Sequence, residues 1–175
     1  MNHFYLKLSG IQLLQDCHVL FPNGITSEEV DDIFDTAIQI LDFYMKNSPD
    51  VVTHVFELLA MLCDKDIMKH RNPEIDLKCR ELRRSGESSL LQCIIKAIHM
   101  HSKVKTVQRG GMLLIDEIFS FVAVDNLPST TFKIFKCVME TLFRNCDDSA
   151  ICFSSFSVLS QIAVQVCFPT SEILL

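Results

Sequence analysis

Apolar residues recur every three or four positions through most of the 175-residue chain, which is the spacing of one face of an α-helix. Short polar connectors such as NSPD and VAVDNLPST separate these stretches. No stretch of any length alternates apolar and polar residues in the way a half-buried strand does. The pattern predicts an all-α fold with helices at about residues 4–18, 26–46, 50–63, 88–101, 103–120, 129–144 and 147–166.

Four of these helices contain a twelve-residue segment with the same order of apolar positions. The segments are LKLSGIQLLQDC from Leu6, VVTHVFELLAML from Val51, VQRGGMLLIDEI from Val107 and ICFSSFSVLSQI from Ile151. Positions one, six, eight, nine and twelve are apolar in all four, and on a helix they form one stripe. The stripe predicts that every segment buries the same face. Position six of this face is Ile11, Phe56, Met112 and Phe156.

Gly110 and Gly111 stand side by side in the third segment, although a glycine costs a helix about 1 kcal/mol relative to alanine. Position five of the alignment holds a small residue in three of the four segments. Its residues are Gly10, Val55, Gly111 and Ser155. A small residue within an apolar stripe allows two helix axes to approach closely. We therefore predict a close helix–helix contact at Gly111, whereas the alignment assigns no role to Gly110.

The four segments begin 45, 56 and 44 residues apart, and the longest interval contains a charged insertion at residues 64–89. Helix pairs that recur every ~40–47 residues are typical of armadillo and HEAT repeats. In its four stripes, and above all in VQRGGMLLIDEI, the chain resembles this family. The resemblance implies an armadillo/HEAT-like right-handed α-solenoid of about three to four repeats. It also implies a protein–protein interaction scaffold without catalytic chemistry of its own.

The composition argues against nucleic-acid binding and favours a reducing compartment inside the cell. The net charge of −6 provides no basic footprint of the kind that nucleic-acid-binding proteins carry. Eight cysteines are present without a C-x-x-C pair, and most lie in apolar helical stretches, where a free thiol behaves as a small hydrophobe. The start MNHFYLKLSG lacks the pattern of a signal peptide. We therefore expect an intracellular protein, in the reducing cytoplasm or nucleus.

The stretch from Ala150 to Ser171 contains no charged residue and is long enough to be compared with a membrane span. Its polar side chains argue against a span. Ser154, Ser157, Gln161 and Gln165 fall on one helical face, and apolar residues fall on another. We predict an amphipathic helix with an uncharged polar face and no membrane span.

Candidate catalytic and metal-binding chemistry is weak throughout the sequence. His99 and His101 are two residues apart on a predicted helix, so they point in nearly opposite directions and cannot share a metal ion. No phosphate-binding glycine loop and no G-x-S-x-G motif are present. We predict no catalytic residue, no metal and no cofactor. Two alternatives stay open: a compact helical-bundle regulatory domain with a ligand cavity, and an enzyme with a dispersed site.

The expected partner is another protein, and basic side chains are the first candidates for binding it. The candidates are Lys96, Lys133 and Lys136 on the longer helices, and Arg80, Arg83 and Arg84 in the charged insertion. Acidic residues interleave the insertion, so a solvated loop is its simpler interpretation.

We interpret residues 1–175 as a single helical domain. Residues 4–18 resemble the last helix of a repeat whose earlier helices are absent, and the chain stops on the apolar residues of SEILL. Solenoids need polar terminal caps. One hypothesis is therefore a fragment or short isoform of a longer array, and another is self-association through apolar ends.

Overall fold

The computed structural model describes residues 27–63, 89–119 and 128–167, and every regular element in these ranges is an α-helix. The helices are α1 (Ser27–Tyr44), α2 (Pro49–Cys63), α3 (Ser89–Met100), α4 (Lys105–Phe119), α5 (Pro128–Arg144) and α6 (Ser149–Cys167). The all-α prediction is confirmed here, and each helix ends within two residues of its predicted bounds. The predicted helix at residues 4–18 and residues 64–88 of the charged insertion lie outside the described ranges.

The helices form three hairpins, α1–α2, α3–α4 and α5–α6, and each hairpin has the same four-residue turn. In each turn the carbonyl of the last residue accepts a hydrogen bond from the amide four residues later, at 2.9–3.2 Å. The last turn residues are Ser48, Val104 and Asp148. Each lies three residues before one of the aligned segments, so the turn and the apolar stripe keep one register through the three hairpins.

The hairpins pack against one another in chain order and form two layers. In the first layer α1 contacts α3, and α3 contacts α5. In the second layer α2 contacts α4, and α4 contacts α6. The second layer has the more extensive contacts, because the aligned apolar stripes lie in it and the core follows them.

The predicted stripe is buried in α2 and α4 but is interrupted in α6. Phe56 and Met112, at position six, are fully buried, whereas Phe156 is 61% exposed. The prediction that Phe156 belongs to the core is therefore wrong. The physical reason is that α2 packs this part of its surface against the next hairpin, and no helix after α6 is described that could cover Phe156.

Both glycines of α4 lie where α2 and α3 approach it. A Cβ atom added at Gly111 would lie 2.6 Å from Ile98 Cγ1 and 3.1 Å from Phe56 Cε2. One added at Gly110 would lie 3.3 Å from Phe56 Cβ and 3.8 Å from the carbonyl oxygen of Thr53. The predicted close contact at Gly111 is confirmed. Gly110 also has a role, because it lets Phe56 and the backbone of α2 approach α4.

Polar side chains make hydrogen bonds at the turns, one set within the second hairpin and one between the second and third hairpins. Within the second hairpin, the Gln108 Nε2 group donates to the carbonyl of Ile98 in the last turn of α3 at 2.7 Å and to that of His101 in the connecting turn at 3.1 Å. Asp148 caps α6 by accepting from the Ile151 amide at 3.3 Å. Its other oxygen accepts from Arg109 Nε at 2.7 Å, and this bond lowers the pKa of Asp148.

Gly111→Ala is expected to destabilise the fold, because the new methyl group would overlap the Ile98 side chain. We expect a net loss of roughly 1–2 kcal/mol in the free energy of unfolding, since overpacking outweighs the gain in helix propensity. Gly110→Ala is the matched control, with a change of less than about 1 kcal/mol, because its nearest neighbour lies 3.3 Å away. Urea unfolding followed by far-UV circular dichroism measures both. Equal effects would contradict the close approach at Gly111.

Arg109→Gln removes the cation that lowers the pKa of Asp148. A depressed folded-state pKa stabilises the protein above the ordinary pKa of 3.8, and this contribution disappears as the pH falls through the folded value. We therefore expect the variant to melt at a lower temperature than the wild type at neutral pH, with a difference that shrinks below pH ~4. Thermal unfolding of both proteins between neutral and acidic pH measures this. A difference that is independent of pH would refute the assignment.

Candidate functional site

A surface cleft of about 560 Å³ lies between α3 and α5. Six of its lining residues come from α3 and one comes from α5. The lining residues are Gln92, Cys93, Ile95, Lys96, His99, Met100 and Lys133. None of these described side chains is a carboxylate, and the two that carry a fixed charge, Lys96 and Lys133, are basic.

The periodicity of α3 explains why its residues form this wall. Gln92, Lys96 and Met100 recur at every fourth residue and therefore follow one exposed face of the helix. Ile94 and Ile98 lie on the opposite face and are fully buried in the core. The core thus holds α3 in one rotation, and that rotation directs its basic and thioether side chains towards α5.

The structure brings together two of the six residues that the sequence nominated for partner binding. Lys96 and Lys133, far apart in the chain, line the same cleft. Neither forms an ion pair with another described residue. Lys136 does not line the cleft, and its Nζ atom lies 4.0 Å from Glu140 Oε1 on the same helix. The insertion residues lie outside the described ranges. These are Arg80, Arg83 and Arg84.

Glu140 lies beside His99 at the edge of the cleft, and three basic side chains lie within 4.0 Å of its carboxylate. Its carboxylate is 3.5 Å from His99 Nδ1, 3.9 Å from Arg144 Nη2 and 4.0 Å from Lys136 Nζ. All these groups are substantially exposed, so each pair contributes little to stability. The cluster nevertheless links α5 to α3 through His99, and among the described residues Glu140 forms no ion pair with Lys96 or Lys133 of the cleft.

Cys93 lies in the wall of the cleft but is not a nucleophile at neutral pH. Burial, followed by the nearby Asp42 charge, raises the pKa of the Cys93 thiol to about 11. The thiol donates a hydrogen bond to Asp42 Oδ1 at 3.5 Å. Burial also raises the pKa of Cys137 to about 11. Since the thiolate is the reactive form, these two groups serve packing.

His99, in the last turn of α3, and His101, in the turn that follows it, have separate partners. His99 faces Glu140 of α5, whereas the His101 Nε2 group donates a hydrogen bond to the carbonyl of Met45 in the first turn. They therefore hold α3 to hairpins on either side of it. Across the described ranges, no three His, Cys, Asp or Glu side chains come close enough together to hold a metal ion.

The polar face predicted for the uncharged helix α6 is directed at α4. Asp116 Oδ1 accepts hydrogen bonds from Ser157 Oγ at 2.6 Å and from Gln161 Nε2 at 3.0 Å. Ser154 and Ser155 are buried. Two of the polar residues that argue against a membrane span, Ser157 and Gln161, are thus part of a helix–helix interface. None of the described helices combines the length and the apolar character needed to cross a membrane.

The exposed phenylalanines of α5 are a surface feature that the sequence analysis missed. Phe132 and Phe143 are more than two-thirds exposed, and Phe135 is 41% exposed. The sequence contains a signal for this exposure. Ile134 and Val138 mark the buried apolar face of α5, and the three phenylalanines lie off that face.

Comparisons with protein-family models, with curated protein sequences and with solved structures found no match to this chain. The resemblance to armadillo and HEAT repeats rests on the aligned segments. The common register of the three turns, seen in the structure, is consistent with that alignment.

Asp42→Asn is expected to lower the pKa of Cys93, because the carboxylate both repels the thiolate and accepts the thiol hydrogen bond. Burial remains, so we expect the pKa to stay above the usual thiol value of 9.0. Alkylation rates across a pH series, followed by peptide mass spectrometry, measure the shift. The exposed Cys146 is an internal control. Identical Cys93 profiles in the two proteins would rule out the role of Asp42.

Proposed function

We propose that this chain is a non-catalytic protein-interaction module whose α3–α5 cleft binds an acidic, apolar-containing segment of a partner protein. The observation that carries the proposal is the pair Lys96 and Lys133, both without ion pairs to described residues, in a cleft whose described lining contains no carboxylate. The described lining thus presents two ammonium groups in a chain of net charge −6, and the nearest carboxylates, Asp42 and Glu140, are engaged by Cys93 and His99. Complementary charge favours the approach and orientation of an acidic partner.

The cleft also offers apolar contact, which charge alone would not provide. Ile95 and Met100 lie in its wall beside the lysines. Methionine is flexible and polarisable, so it adapts to apolar side chains of different shape. A bound segment would place its apolar residues on this wall and its Asp or Glu side chains near the two ammonium groups. Each exposed charge pair contributes about 0.2–1 kcal/mol, so the apolar contact is needed for affinity.

The proposal extends to the architecture, an armadillo/HEAT-like right-handed α-solenoid of about three to four repeats. Three observations support it: the common turn of the hairpins, their stacking in chain order, and the intervals of 56 and 44 residues between Ser48, Val104 and Asp148. The absence of catalytic chemistry is part of the same proposal. The high pKa of the Cys93 thiol supports it, because the cysteine in the cleft is not activated.

The competing function is that of a compact helical-bundle regulatory domain that binds a small molecule in this cavity. The cleft volume of about 560 Å³ falls within the range of ligand sites, about 300–1,000 Å³. Its wall, however, includes exposed side chains such as Lys96, His99 and Met100. Solvent access along a helix face suits a polypeptide better than a ligand that must be largely enclosed.

Selection of a random peptide library against the purified chain tests the proposal. We expect the enriched peptides to combine carboxylates with leucine, phenylalanine or methionine. The Lys96→Glu, Lys133→Glu double variant should raise the Kd of the tightest peptide about tenfold or more, measured by fluorescence anisotropy. Added salt should weaken binding to the wild type.

Lys103→Glu is the matched control, because Lys103 is exposed in the α3–α4 turn and does not line the cleft. We expect it to leave the Kd of the selected peptide within about twofold of the wild-type value. Enrichment of peptides without net negative charge, or equal binding by the double variant, would overturn the proposal. Saturable binding of an apolar small molecule that is insensitive to the charge of both lysines would favour the competing class.

A further inference from the structure

Charge is distributed unevenly along the first layer of helices. The sequence of α1 contains acidic residues and no Lys or Arg. Its acidic residues are Glu28, Glu29, Asp31, Asp32, Asp35 and Asp42. The charged residues of α3 and α5 are mostly basic. They are Lys96, Lys133, Lys136, Glu140 and Arg144. One end of the layer is therefore acidic and the other basic, within a chain of net charge −6.

The exposed face of α1 combines carboxylates with an aromatic ring. Asp32, Gln39 and Phe43 are exposed and follow one another at intervals of seven and four residues, so they lie on one face of the helix. Asp35 is exposed beside this row, and Leu41 is fully buried on the opposite side. We call Asp32, Asp35, Gln39 and Phe43 the α1 stripe. Its charge lies towards the start of the helix and its aromatic ring lies towards the end.

The helix dipole does not account for the two aspartates of the stripe. Helix α1 begins at Ser27, so Asp32 lies in its second turn and Asp35 in its third. The stabilisation of a carboxylate by the dipole falls off within the first turn. Neither aspartate forms an ion pair with another described residue. Two exposed carboxylates in an acidic helix suit a basic partner surface.

The cleft between α3 and α5 changes in character along its length. His99 lies 3.5 Å from Glu140, Gln92 lies seven residues before His99, and Lys133 lies seven residues before Glu140. The two helices run in the same direction, because Lys133 would otherwise lie beyond the end of α3 instead of lining the cleft. Lys133 is therefore level with Gln92. Met100 lies eight residues further along α3, at a distance of about 12 Å.

The α1 stripe matches the cleft in spacing and in order. Asp35 precedes Phe43 by eight residues, which is also the separation of the two ends of the cleft wall on α3. With Phe43 against Met100 and α1 parallel to α3, Asp35 is level with Lys133. Lys96 lies between these ends, and its flexible four-carbon stem allows it to reach the same carboxylate. A methionine sulfur also packs favourably against an aromatic ring.

The stripe and the cleft lie on the same side of the molecule. Each is opposite the residues that its helix buries in the core, which include Leu41 on α1 and Ile94 and Ile98 on α3. Two copies that face each other by their first layers can therefore engage both surfaces at once. A two-fold axis parallel to the helices places each stripe over the other cleft and keeps α1 parallel to α3. Such an isologous contact closes after two subunits.

We propose that two copies of this chain pair reciprocally, the α1 stripe of each docking in the α3–α5 cleft of the other. This inference rests on the proposed function of the cleft, and it names a second copy of the chain as the partner. A helix face seated in a groove is a recurring mode of recognition. The local charges orient two copies whose net charges repel. Self-association is thereby assigned to the outer faces of the first layer, in place of apolar chain ends.

Charge reversal and sedimentation equilibrium of the full chain test the pairing. We expect a monomer–dimer equilibrium for the wild type. The Lys96→Glu, Lys133→Glu variant and the Asp32→Lys, Asp35→Lys variant should each raise the dimer Kd about tenfold or more. An equimolar mixture of the two variants should regain dimers with a Kd within about threefold of the wild-type value. The reason is that one docking site of the mixed dimer has the original charges and the other has both reversals.

Glu57→Lys and Lys103→Glu are the controls, because both residues are exposed and belong to neither surface. We expect each to leave the dimer Kd within about twofold of the wild-type value. A wild-type chain that is monomeric at about 100 µM, roughly a hundred times a micromolar Kd, would overturn the dimer. If the selected acidic peptide still bound through Lys96 and Lys133, the proposed function would stand without it. A mixture of the two variants that stays monomeric would overturn the docking.

Carbodiimide crosslinking provides a second readout that does not depend on the stability of the variants. The reagent joins a carboxylate directly to an amine that it contacts, and a mixture of isotopically light and heavy chains distinguishes links between copies. We expect Asp32 or Asp35 of one copy to be joined to Lys96 or Lys133 of the other. Links from these aspartates that stay within one isotope, or that reach only Lys103 or Lys105 of the other copy, would overturn the pairing.

Discussion

The packing of the three hairpins depends most on the contact of Phe56 with Gly110 and Gly111. Because neither glycine has a side chain, α2 approaches α4 closely, and Ile98 of α3 fills the remaining space. Three helices from two hairpins thus meet at one point in the core. Close-packed interiors tolerate small volume changes poorly. The contact therefore fixes the second hairpin on the first, and with it the rotation of α3 that forms the cleft.

Polar groups at the turns complete this arrangement without entering the apolar stripe. Gln108 satisfies carbonyls at the end of α3, and Arg109 holds the carboxylate that caps α6. Both side chains belong to α4, so one helix organises the turns on either side of it. A capped helix end stabilises a hairpin, and a cap supplied or held by the neighbouring hairpin also sets the position of that neighbour.

The sequence by itself determined the helices, their register and the close approach at Gly111. These features are local: periodicity defines which face of a helix is apolar, and an internal glycine is costly enough to indicate a packing role. The role of Gly110 was not predictable, because it depends on how the backbone of α2 passes over α4.

Only the tertiary structure decided which faces are covered. In the folded chain Lys96 and Lys133 line the same cleft, and Ser157 of α6 binds Asp116 of α4. Phe156 stays exposed. An amphipathic pattern specifies that a face is apolar but carries no information about the neighbour that covers it. The packing of whole hairpins decides which neighbour covers each face, and therefore which residues are buried. The raised pKa of Cys93 is one consequence, because burial is its main cause.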